Sequence, residues 1–493
     1  MKKFSLLLTF CLCCTLASAK FPIDFSRVGY MWGEVSVPDY PVKMVLTAPA
    51  DGSDMTAAIQ AALDGVEAPG AVLLKAGTYN VSGCLYMRRD GVVLRGEGNG
   101  TVLLATGTER RDVITLGRQM LRTYGAKSSI VDKKTPVGQM WVRVADPSLF
   151  SVGDRVSVTI RVNDKWISGL KMDEIAQNHK GNVKQWRARS YKMFWERVVT
   201  KIQGDRVWLE NPIVMELDSQ YLVSAVLEHV ICDRIEQSGI ENMKIVSSYD
   251  PSVTSVYRGS VYQSDEEHAW AAIVVKAAEH CWIRNVVSAH FAYSLVDMER
   301  GAKNITVREC VSTHPVSVLT GARRDAFHIS GGELCLVEKC RAEYDRHGLI
   351  TGGKVAGPNV FLDCEMVHAY TDAGPHQRWA TGVLYDNCIT DNLLAVQDRA
   401  GWGTGHGWGG VNFVFWNCEA ATLICQNPWI SGKNWCIGCI GEKLPGRKYS
   451  DGMVRPDGEW KSHGKKVRPQ SLYRDQFARR LKNGQLVTAI ATN

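Results

Sequence analysis

Beyond its first nineteen residues the chain has no apolar run long enough to cross a bilayer as a helix, so no membrane anchor is expected. Runs of like charge are missing too. Lys and Arg number 58 against 51 Asp and Glu, a formal net charge of +7. That mild excess is spread along the chain, whereas nucleic-acid binders concentrate it, so no nucleic-acid partner is expected. A basic groove for an acidic polymer stays open. Cys436 and Cys439 form a lone C-x-x-C, and no second pair completes a zinc site. GHGWGG, from Gly405 to Gly410, fits the G-x-G-x-x-G pattern, but the strand-to-helix setting that binds a dinucleotide is absent. QDRAGW separates the loop from strand-like LLAV, and NFVFWNC after it reads as another strand. No nucleotide is expected, and the glycines read as letting the backbone turn tightly and approach a ligand.

What is present begins with an export signal. Lys2 and Lys3 precede a short apolar core and the A-x-A site Ala17-Ser18-Ala19, so residues 1–19 read as a secretory leader cleaved before Lys20. The mature protein is then periplasmic or extracellular. Its twelve remaining cysteines would by compartment favour disulfides, but their spacing points elsewhere.

One phrase recurs as IENM, IRNV, VREC, VEKC, FLDC, YDNC, FWNC and IGC. Its last residues are Met243, Val286, Cys310, Cys340, Cys364, Cys388, Cys418 and Cys439, separated from Val286 onward by 24, 30, 24, 24, 30 and 21 residues. Such a period is one turn of a parallel β-helix, an all-β solenoid whose turns bury their inner faces only by stacking. The marker cysteines are expected as a ladder of free core thiols, with a disulfide or metal role as the alternative. DGSDMTAAIQAALDG predicts an N-terminal capping helix with Asp54 at its start. SLYRDQFARRL (471–481) predicts a second short capping helix. The domain reading is 20–130 for the cap and first turns, 131–230 for a β-rich antiparallel insertion, 231–445 for the core carrying the site, and 446–493 for the tail.

The phrase D-G-x-D-x-T-x-A-I-Q-x-A, followed by A-G-T-Y and G-V-x-L-x-G-x-G, resembles the N-terminus of the pectate-lyase-like β-helix superfamily. That resemblance implies a right-handed parallel β-helix acting on carbohydrate. It leaves the reaction open, because the superfamily includes polysaccharide lyases, glycoside hydrolases and phage tailspikes. The polygalacturonase-type hydrolase signature is present only as Gly405-His406-Gly407, without its N-T-D or D-D pair, so that mechanism is not carried over.

Two polar columns follow from the repeat. Four residues after the markers stand Ser247, His290, His314, Tyr344, His368, Asn392 and Thr422. Twelve before them stand His328, Gly352, His376 and His406. His290 and His314 read as ladder members holding the turns in register. His347, His376 and His406, beside arginine, glycine or tryptophan in loops, read as functional. A uronate lyase must neutralise a sugar carboxylate, abstract the C5 proton and protonate the leaving oxygen. His347 and His376 are the acid–base candidates, Tyr344 a proton donor, and Arg346, Arg378 and Arg399 the carboxylate holders. Trp379, Trp402 and Trp408 are assigned to sugar stacking, with His406, Asp345 and Asp398 in the binding set. KQWRARSYKMFWERV (184–198) adds Trp186 and Arg189 as sugar contacts, or alternatively packs its aromatics on the wall. Asp325, Asp345, Asp372 and Asp398 keep hydrolysis by paired carboxylates as an alternative, and a non-catalytic carbohydrate-binding solenoid is the third reading. The aspartates are interspersed with cations, which weighs against calcium. No metal or cofactor is expected, and the expected partner is an acidic polysaccharide.

Overall fold

The computed structural model describes residues 21–446 and 449–491; the leader lies outside them. The repeat folds as short parallel strands on three faces. On the first face Val307, Val337, Phe361, Tyr385, Phe415 and Cys436 stand in one inward ladder. On the second, Ser312, Ala342, Met366, Thr390 and Ala420 do the same. On the third, Ile114, Ile273, Val296, Phe327 and Leu349 line up. Period-two alternation sends these side chains into one continuous core.

The repeated phrase is the corner between the first two faces. Asn242, Asn285, Glu309, Lys339, Asp363, Asn387 and Asn417 all have φ between 52° and 59°, so the chain turns left-handed one residue before each marker. The marker side chain then points inward. Cys364, Cys388, Cys418 and Cys439 donate their thiols to carbonyls of the preceding turn, Val337, Phe361, Tyr385 and Phe415, at 3.2–3.4 Å. A small side chain with a weak donor suits that position. All twelve described cysteines are free.

The next corner carries the first polar column. His290, His314, Tyr344 and His368 are also left-handed, with φ of 70°, 49°, 60° and 53°. The rings of the last three adjoin, Tyr344 lying 5.1 Å from His314 and 4.7 Å from His368, while His290 packs edge-on against Tyr249 at 5.0 Å.

Residues 122–232 leave the solenoid and form a six-stranded antiparallel sheet bounded by Arg122–Ser129 and Leu222–Cys232. It packs on the solenoid through a second core in which Trp166, Trp195, Trp379 and Trp408 meet. Beside this core lies a buried ion cluster. Glu279 stands 2.5 Å from Arg155, 3.5 Å from Arg234 and 3.8 Å from Lys303. Burial pushes the Glu279 carboxyl up, but Lys303, Arg155 and Arg234 outweigh it and hold the group well below the usual carboxylate range.

The helix predicted near the N-terminus spans Thr56–Gly65, with Asp54 accepting from the Thr56 amide at 2.7 Å. It lies against the edge strand Leu85–Met87, where the Gln60 side chain bonds both the amide and the carbonyl of Tyr86. The C-terminal helix Leu472–Lys482 runs along the flank instead of closing the far end, which corrects its assignment as a cap. Its start is bound to Asp386, while Gln476 and Arg480 hold the segment Ile23–Trp32 against the wall.

Candidate functional site

Three loops on successive turns bring three histidines together. His347 precedes the strand Leu349–Thr351, His376 follows Gly374–Pro375, and His406 lies in the glycine-rich loop. Ring centroids are 4.9 Å apart from His347 to His376 and again from His376 to His406, the spacing of the turns themselves. They border a cleft of about 560 Å³ whose lining includes Arg258, Arg346, Tyr370, Asp372, Arg399 and Trp402.

The hydrogen bonds assign the state of His347. Its Nδ1 donates to the Asp372 carbonyl at 2.7 Å and lies 3.0 Å from Thr371 Oγ1, whose hydroxyl donates to the Arg346 carbonyl. The proton therefore sits on Nδ1 and the Nε2 lone pair is left as an acceptor. Burial, reinforced by Arg346 and Arg399, depresses the His347 pKa well below the ordinary value. Burial and then the neighbouring His347 do the same for His376. His406 is pushed down to about 4 by burial and by Arg399 and Arg378. All three imidazoles are neutral at physiological pH, and the buried Nδ1 atoms of His376 and His406 have no hydrogen-bond partner.

Two of the cleft's cations are held from behind. Arg399 donates to Asp372 Oδ1 at 3.0 Å, with its guanidinium 4.8 Å from the Trp402 ring centroid. Arg346 donates to the Thr320 and Arg323 carbonyls and stands 3.7 Å from Asp325. Burial pushes the Asp325 carboxyl up to about 7 against the pull of Arg346.

Of the residues singled out in the sequence, His347, His376, His406, Arg346, Arg399, Trp402, Asp372 and Asn392 border this cleft. The others lie elsewhere. Tyr344 belongs to the corner stack. Trp379 and Trp408 are fully buried against the insertion. Trp379 packs edge-on against Trp166 at 4.9 Å, and Trp408 Nε1 donates to the Leu170 carbonyl. Trp186 is buried beside Tyr191 at 4.7 Å, so the basic–aromatic segment packs inward, and Arg189 is exposed away from the cleft lining. Arg378 ties the glycine-rich loop through Thr404 at 2.7 Å. Asp398 is bound to Arg455 and to the Ala400 amide, and Asp345 is sealed in, its carboxyl raised well above the usual range by burial. His328 leaves the second column because its strand pairs with Leu349–Thr351, placing it opposite Ile350. It meets the Tyr293 hydroxyl at 2.5 Å instead.

The glycines of the loop serve packing. A Cβ on Gly407, at φ 57°, would lie 2.4 Å from Met172 Sδ and 2.7 Å from the Trp186 ring. The close approach is to the insertion, which corrects the expectation of an approach to ligand. The strand Gly410–Val411 follows directly, with no helix to hold a pyrophosphate.

Sequence reading missed Tyr257, Arg258 and Tyr370. The first two sit on a hairpin whose strands, Thr254–Tyr257 and Ser260–Gln263, flank a turn with Arg258 and Gly259 at φ 50° and 83°. SVYRGSVYQ carried that signal, two β-prone runs around a residue pair that turns left-handed.

No family model and no curated protein matches the chain. Among solved structures it is similar to a tailspike of Acinetobacter baumannii bacteriophage AP22 in complex with capsular saccharide, at 13% identity and TM-score 0.40, over 80% of this chain and 62% of that one. It thus spans under two thirds of that tailspike. A polygalacturonase from Erwinia carotovora gives 14% and 0.39 over 86% and 96%. An alginate lyase from Paenibacillus gives 8% and 0.39 over 86% and 99%. All three are right-handed parallel β-helices. This protein is a right-handed parallel β-helix. The likeness is one of fold, and the chemistry of the β-helix rests on the cleft.

Proposed function

We propose that this β-helix is an exported enzyme that cleaves a uronic-acid-containing polysaccharide by β-elimination. The observation that carries the reading is the stack of neutral imidazoles bordering a cleft with cations, with the His347 lone pair assigned to Nε2 by the Asp372 carbonyl. The proton on C5 goes to the His347–His376 pair. The C4–O4 bond breaks, its electron pair leaves with O4, and a C4=C5 double bond forms. O4 takes the phenolic proton of Tyr370, which lines the cleft where Tyr344 does not. The imidazolium then returns its proton to the phenolate through water. Arg346 and Arg399 give the floor a positive potential that favours an acidic sugar.

Hydrolysis by paired carboxylates is less well supported. Among the described residues Asp372 is the one carboxylate in the cleft lining, and Arg399 already occupies it. The test is incubation with a panel of uronate and neutral polysaccharides, following ultraviolet absorbance of an unsaturated uronate and new reducing ends together. Both signals are expected with an acidic polymer. Reducing ends without absorbance would overturn elimination in favour of hydrolysis, and binding with neither signal would make the protein a carbohydrate-binding solenoid.

A further inference from the structure

Three guanidinium groups line the cleft, and they differ in what holds them. Arg399 is paired with Asp372, and Arg346 is bonded to two carbonyls beside Asp325. Arg258 is exposed at the tip of the hairpin and makes no hydrogen bond or ion pair among the described residues. Its guanidinium lies 5.2 Å from the ring of its neighbour Tyr257.

The hairpin is braced in place. Tyr257 packs edge-on against Tyr370 at 5.4 Å. The Arg324 guanidinium lies 5.3 Å from the Tyr262 ring and 5.7 Å from the Tyr370 ring, and it donates to the Gln263 carbonyl at 3.1 Å. At the base, Tyr262 accepts from the Leu319 amide at 3.2 Å and Ser255 bonds Ser264 at 2.9 Å. An aromatic post thus fixes the arm at the cleft, and its tip presents an unpaired fork of N–H donors. A guanidinium matches a carboxylate in two parallel hydrogen bonds, which an ammonium cannot reproduce.

We propose that Arg258 is the carboxylate-recognising residue of the cleft, gripping an acidic sugar from above while the histidines work from the floor. This rests on the reading of the cleft as a uronate site. The arm is then the specificity element, and it selects charge, since Arg346 and Arg399 are committed to holding their own loops.

The experiment separates recognition from turnover. Equilibrium binding is measured in a His376→Ala background, with and without Arg258→Gln or Arg258→Lys, to a polyuronate and to the same polymer after its carboxylates have been reduced to alcohols. Arg258→Gln is expected to weaken polyuronate binding about tenfold or more, with Arg258→Lys recovering only part. Neither substitution is expected to alter binding of the reduced polymer. An unchanged affinity for polyuronate overturns the proposal, and so does an equal loss on both polymers, which would assign Arg258 to shaping the arm. A protein that cleaves no polymer but shows the charge-selective loss retains Arg258 as the carboxylate reader and refutes only the elimination reading. Thermal melts of the tip variants are expected to overlay the parent.

Discussion

Replacing Trp379 by alanine separates packing from sugar contact. The side chain is fully buried, edge-on to Trp166, with its Nε1 donating to Met215 Sδ at 3.3 Å. An aromatic side chain buries about 150–250 Å², which at about 25 cal/mol per Å² is worth about 4–6 kcal/mol. Alanine keeps part of that and the neighbours close part of the cavity, so the expected loss is about 3–5 kcal/mol. It should fall first on the contact between the inserted sheet and the solenoid, because Trp379 joins the two. Trp402 is the control. It is half-buried, borders the cleft and carries Arg399 on its ring, so Trp402→Ala should cost about 1 kcal/mol of stability. Its sugar affinity should fall about three- to tenfold, the worth of one aromatic contact. Guanidinium unfolding followed by circular dichroism reads the first quantity and equilibrium glycan binding the second. Trp379→Ala unfolding with the parent protein while losing sugar affinity would refute the interface role of this ring.

Other expectations follow from the same structure. Under native conditions a thiol reagent should reach Cys84 and Cys232 at most, the two that are only half-buried, and all twelve described cysteines once the protein is unfolded; rapid native labelling of more would contradict the buried ladder. Glu279→Gln should destabilise by about 3–5 kcal/mol, since Arg155, Arg234 and Lys303 lose a buried counter-charge; a shift below about 1 kcal/mol would show that water reaches the cluster. Because burial and nearby cations depress all three cleft histidines, His406 to about 4, the acid limb of activity should fall below the ordinary histidine range; a limb near the ordinary value refutes the neutral stack. His328, largely enclosed and pushed down to about 4 by desolvation, refuses a proton that the unfolded chain accepts below about 6.5, so its contribution to stability is lost as pH falls through that window. His328→Gln should therefore gain about 2 kcal/mol relative to the parent between pH 8 and about pH 5 in denaturant titrations, and a pH-independent difference would contradict the shift.

The parts of the molecule that sequence could specify are those set by one turn acting on the next. A left-handed corner followed by an inward residue is a local rule, so Asn387-Cys388 and Asn417-Cys418 state it openly, and counting between them recovers the solenoid. The same counting failed for His328, because a loop of different length separates its strand from the following marker, and register is carried by pairing with Leu349–Thr351. Aromatic and basic residues were ambiguous for a different reason. Trp186, Trp379 and Trp408 look like sugar platforms as long as the wall they stand on is free. The inserted sheet covers that wall, a non-local contact that no local pattern announces. Tyr257 and Arg258 show the converse, a short hairpin from an earlier turn reaching over the cleft and meeting it through Tyr370. The inserted sheet buries much of the aromatic wall that could have met a polymer, while the hairpin supplies a half-buried aromatic, Tyr257, and an exposed cation without an ion pair among the described residues. Specificity in this β-helix should therefore change through what is inserted between turns, with the three-histidine floor held constant by the spacing of the turns.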